Sequence, residues 1–138
     1  MEKANNDLDV DKATQMMIES QSSRDKARAM YDAQDKIAMN YLDTEYKSIL
    51  TLMDLTRKVE PESLDGFQKG ANRLTTMKPA YQEMIDDRKA IFDYLDKTPH
   101  SYQNSTAAFT ESKQISTYNE LQKKYRAAAQ KVVDISKT

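Results

Sequence analysis

Apolar and small residues recur three and four positions apart in three long stretches, separated by two polar breaks that each carry a proline. The first stretch runs from about Leu8 to Val59 through Ala13, Met16, Met17, Ala27, Met30, Tyr31, Ile37, Ala38, Tyr41, Ile49, Leu52, Leu55 and Val59. Fifty residues of helix would measure roughly 75 Å at 1.5 Å per residue. The stripe disappears across Ser20–Lys26, where Ser22 with Asp25 three residues on offers a fresh helix cap. The pattern predicts one helix over residues 8–59, with a weak or broken stretch near 20–25.

Glu60-Pro61 ends that helix, because proline disfavours helical geometry at the residue before it and has no amide to continue the ladder. The second stretch gives the cleanest seam: Leu64, Phe67, Ala71, Leu74, Lys78, Tyr81, Ile85, Arg88, Phe92 and Leu95. It predicts a helix over 62–96, kinked or split at Pro79, with charged residues at two seam positions. Gly66 and Gly70 either weaken its start or let a neighbour approach closely. After the loop Asp96–Ser101, a third helix is predicted over 105–136, with the seam Ala108, Ile115, Tyr118, Gln122, Tyr125, Ala129, Val132 and Ile135. Short connections make successive helices antiparallel. The expectation is therefore all-α: an elongated, coiled-coil-like, up-down-up three-helix bundle over residues 8–138 behind a flexible lead-in, 1–7. Because the first helix is the longest, its N-terminal third projects, folds back as a fourth helix or pairs with another copy.

Composition supports this and removes most chemistry. Two glycines and three prolines in 138 residues leave few means of making tight turns. A hydrophobic share of 38% and a mean hydropathy of −0.86 suit narrow apolar stripes rather than a thick core. With no cysteine, disulfides, thiolate zinc sites and thiol catalysis are excluded. No run approaches the ~20 apolar residues of a membrane span. Net charge is −1, but residues 1–60 hold 9 Lys/Arg against 12 Asp/Glu and residues 99–138 hold 6 against 3, so the first and last helices are expected to attract each other.

No constellation of residues has both the types and the spacing of a catalytic site. His100, the single histidine, stands in a loop and lacks a second histidine for a metal. Asp86 and Asp87 point about 100° apart on a helix, and Lys89 and Lys97 stand where they would pair with Asp86 and Asp93. Asp7, Asp9 and Asp11 have the alternate spacing of a calcium loop, but Ile18 occupies the position where its last carboxylate belongs. Asn104-Ser105-Thr106 matches the glycosylation acceptor pattern in a stretch rich in those residues. Lys113, Lys123, Lys124, Arg126 and Lys131 spread around the third helix instead of lining one face, which argues against nucleic acid.

What remains is a non-enzymatic protein-interaction module without cofactor, metal or small-molecule substrate. Its partner is another protein or a second copy, the latter making it a self-associating spacer. Met16, Met17 and Ile18, an apolar cluster on the overhanging third of the first helix, and Tyr46 and Tyr94, which fall off the main stripes, are the expected contact residues. The polar lead-in, the long Lys/Asp/Gln/Tyr-rich helices and the lack of cysteine resemble, in composition alone, small helical lipoprotein ectodomains of the bacterial envelope. That resemblance implies an extracytoplasmic location, with membrane attachment only through a removed N-terminal anchor.

Overall fold

The computed structural model describes residues 20–103 and 106–137, so Met16, Met17, Ile18, Asn104 and Ser105 lie outside the described residues. Helix α1 (Gln21–Val59), a single 3-10 turn at Pro61–Ser63, helix α2 (Leu64–Lys97), strands β1 (Ser101–Gln103) and β2 (Thr106–Ala108), and helix α3 (Ser112–Ser136) follow in order. The fold is an all-α three-helix bundle.

Helix α1 is capped by Ser20, whose Oγ accepts the Ser23 amide at 3.1 Å. The start signal therefore sits two residues earlier than the Ser22–Asp25 pair suggests, and Ser20–Lys26 is helix from Gln21 onward. At the other end the Glu60 amide still donates to Thr56 O at 2.7 Å, after which Glu60 leaves helical geometry and Pro61 opens the 3-10 turn. Pro79 does not split α2, which is one helix from Leu64 to Lys97.

The third helix departs from expectation. It starts at Ser112, not near residue 105, because the chain first forms an antiparallel hairpin with Ser101 opposite Ala108, Tyr102 opposite Ala107 and Gln103 opposite Thr106. Ser, Thr and Asn compete for backbone hydrogen bonds and make this stretch a poor helix start.

The packed residues group into two compact units, each drawing on all three helices. One comprises 20–33 with Asp87–Lys124, the other Gln34–Asp86 with 125–137.

The first unit has a core of large side chains. Phe92 and Leu95 are fully buried, joined by Ala27, Ile91 and Tyr118. Tyr31 meets Phe92 edge-on at 6.1 Å, and Phe109 contacts Tyr94, His100 and Tyr118 with ring centroids 5.2–5.8 Å apart. Buried Arg88 lies 4.0 Å from the centre of the Tyr31 ring, so the charged seam position points inward and is satisfied there. Buried Arg24 donates to Asp96 at 2.7 Å and to Gln21 at 2.9 Å, and Arg28 reaches the other Asp96 oxygen at 2.7 Å. Asp93 is met by Arg28 at 3.8 Å, not by Lys97. Asp87 is buried; Lys124 approaches one oxygen at 3.5 Å and the other has no hydrogen-bond partner.

The second unit has a leaner core: Met53, Ile85 and three alanines, Ala71, Ala80 and Ala128. Gly70 admits Ile49 so closely that a Cβ there would stand 3.3 Å from its Cδ1, while a Cβ at Gly66 meets nothing within 4 Å. Thus Gly70 serves close approach and Gly66 does not. Lys78, the other charged seam residue, is exposed and bonds Asp43 at 2.6 Å. Lys131 reaches Glu83 at 3.5 Å. In both units the α3 cations that form ion pairs do so with α2 (Asp87, Glu83), so the expected attraction to the acidic first helix is not what those pairs express.

Candidate docking surface

Helix α1 carries two longitudinal seams. The inward one reads Arg24, Ala27, Tyr31, Asp35, Ala38, Leu42, Tyr46, Ile49 and Met53, each buried or half-buried, at steps of three and four. Polar residues hold two of its places, and the hydrophobic pattern of the sequence conceals it for that reason. The second seam, about 100° around the helix by residue spacing, carries most of the large apolar residues that the sequence places in the core.

In the second unit that outer seam is bare. Ile37 is 72% exposed, Tyr41 62%, Leu52 44%, Leu55 56% and Val59 84%. With Thr44 and Ser48 filling the middle, these positions follow steps of 4, 3, 4, 4, 3 and 4. That is twenty-two residues in six steps, a period of about 3.67, near enough to 3.6 that the stripe drifts only about 40° around α1 over its length. At 1.5 Å per residue it is roughly 33 Å long. Beside its N-terminal half opens an apolar groove of about 470 Å³, lined by Ile37, Ala38, Tyr41 and Leu42 of α1, Met77 and Tyr81 of α2, and Val132 of α3.

The stripe has charged edges of opposite sign. Lys47 and Lys58 flank one side, with Asp54 between them paired to Arg57 at 3.0 Å, and Glu45 flanks the other; among the described residues neither lysine nor Glu45 has an ion-pair partner.

The tyrosines singled out from sequence lie elsewhere. Tyr46 is half-buried on the inward seam and lines a smaller cleft with Leu42, Asp43, Leu74 and Pro79. Tyr94 is half-buried against Phe109, and its hydroxyl donates to Gln114 O at 3.2 Å. The stripe residues were legible only as periodic apolar positions. Nothing in their spacing tells which of two seams faces inward.

Other candidate chemistry is sparse. His100 donates from Nδ1 to Thr98 O at 2.8 Å, leaving Nε2 as acceptor 3.4 Å from Arg24 Nη1, in a polar cleft of about 370 Å³. All three Arg24 nitrogens are engaged there, by Asp96, His100 and Gln21, so the cleft presents a latch rather than an open cation. Burial alone would raise the Asp96 carboxyl, but hydrogen bonds from Arg28 and Arg24, with their charges, hold it below the ordinary aspartate value. A wider cleft of about 690 Å³ is lined by Gly66, Lys69, Gly70, Arg73, Asp134 and Ile135. Among the described residues no group of three or more His, Asp or Glu side chains is placed to hold a metal, and no helix is long and apolar enough to cross a membrane.

Comparison with protein-family models, with characterised proteins and with solved structures finds no match, so a functional reading stands on the geometry of this surface alone.

Proposed function

We propose that the protein is a non-enzymatic helical interaction module that docks another protein chain along the outer seam of α1 between Ile37 and Val59. One observation carries this reading: five large apolar side chains, 44–84% exposed, stand in one straight stripe. Single exposed apolar residues are ordinary, but two apolar clusters aligned on one helix face, one of them beside an apolar groove, are where proteins bind partners. The mode is side-by-side helix packing with anchors four, seven and eleven residues apart, and Tyr41 supplies the rigid amphipathic area typical of contact centres. The envelope setting stays part of the proposal on composition only.

A photo-reactive phenylalanine analogue in place of Tyr41, introduced into the full chain in cells that make the protein, is expected to yield a discrete protein adduct on illumination. The same analogue at exposed Glu120 of α3 is expected to yield none. Equal, diffuse labelling from both positions would refute a docking surface on α1.

A further inference from the structure

We infer that the occupant of the stripe is a second copy of this chain, lying parallel to the first with the two α1 helices side by side about a two-fold axis. This rests on the docking reading above and adds the identity and direction of the partner.

Charge at the stripe edges decides the direction. When two helices pair in parallel, unlike edges meet; when they pair antiparallel, like edges meet. The Lys47 edge and the Glu45 edge lie on opposite sides of the stripe. Parallel pairing brings Lys47 of each copy beside Glu45 of the other, two residues apart in level, and does so twice by symmetry. Antiparallel pairing about the stripe's midpoint, Ser48, brings the two Lys47 side chains together instead. Among the described residues neither half-buried Glu45 nor exposed Lys47 has an ion-pair partner within the chain, so each carboxylate and ammonium is available for an intermolecular pair.

The stripe also suits its own copy in parallel. Every apolar position meets itself, and small Thr44 and Ser48 meet at the centre, where they permit close approach of the backbones. A period of about 3.67 is longer than the 3.5 of a heptad, so the two stripes stay in contact in a pair that coils gently to the right rather than to the left. The remaining helices pack against the inward seam of α1, through Met53, Leu42 and Tyr46, and border the stripe only at the groove where Met77, Tyr81 and Val132 stand beside Ile37 and Tyr41.

The absence of cysteine allows a clean test. Purified Ile37→Cys and Val59→Cys chains are oxidised separately and as a mixture, while sedimentation follows the mass of the unmodified chain with concentration. In a parallel pair each variant alone gives a disulfide-linked dimer. Linking only in the mixture means antiparallel pairing and overturns the inference. Lys47→Glu should raise the apparent dimer dissociation constant about tenfold, since two pairs turn from attraction to repulsion, and adding Glu45→Lys in the same chain should restore it. Failure of that rescue also overturns it. A chain that stays monomeric at every concentration refutes the second copy, and the docking surface survives only if the Tyr41 probe still captures a different protein. Monomer without capture ends both readings.

Discussion

Phe92→Ala is expected to be the most damaging single truncation in the described part of the chain. The side chain is 1% exposed, meets the Tyr31 ring edge-on and carries the Arg28 guanidinium 5.1 Å from its centre. Removing a buried phenylalanine costs about 3–5 kcal/mol, through lost transfer energy and an unfilled cavity. In a chain of this length that lowers Tm by on the order of 10–20 °C. Leu55→Ala, at a site more than half exposed, is expected to cost under about 1 kcal/mol. Thermal melts followed by helix circular dichroism compare the two. Equal losses would mean that the outer stripe of α1, and not the aromatic group of the first unit, holds the fold together.

Removing the Asp96 carboxylate is the second large effect. Arg24 is buried and takes its charge partner from Asp96 alone among the ion pairs it makes, so Asp96→Ala leaves its guanidinium with Gln21 and His100 but no counter-charge. Asp96 is itself partly open to water, so leaving the Arg24 guanidinium without its carboxylate costs about 1–3 kcal/mol. The pH dependence follows in sign from the depressed carboxyl. Burial pushes Asp96 up, but hydrogen bonds and charge from Arg28 and Arg24 outweigh it and hold it below 3.8 in the folded chain. Its contribution is therefore complete above the unfolded aspartate value of about 4 and disappears as pH falls through the lower folded value. Melting curves of the unmodified chain and of Asp96→Asn should differ at neutral pH and converge at acid pH. A gap that persists unchanged into acid would contradict the assignment of Asp96 as the ionised partner.

The architecture was readable because its punctuation is strong. Glu60-Pro61 and the Pro99 loop fall where the helices end, and the seam of α2 contains the buried Ala71, Ile85, Arg88, Phe92 and Leu95. What could not be read has physical causes. Helix α2 carries a second packed set, Ala80, Asp87 and Ile91, and the aspartate interrupts its pattern. Helix α1 has two seams, and hydrophobicity alone favours the wrong one. Arg24 and Asp35 sit inward, a placement that for Arg24 rests on a carboxylate seventy-two residues away in sequence. The hairpin before α3 has three residues per strand, too short for alternation to register. As for the site, Tyr46 and Tyr94 stood out for lying off the apolar stripes, whereas the exposed residues lie on one.

On the docking proposal the outer stripe of α1 contributes to association and not to folding. The most direct test of that proposal is the Ile37→Glu, Leu55→Glu double variant: how much of the chain identified by the Tyr41 adduct, a second copy or another protein, it retains relative to the unmodified chain, with a melting curve taken on the same samples. Retention should fall at least tenfold while Tm moves by no more than a few degrees, since both side chains are mostly exposed. Undiminished retention with an intact fold would contradict it, as would a melting temperature that collapses with the substitution.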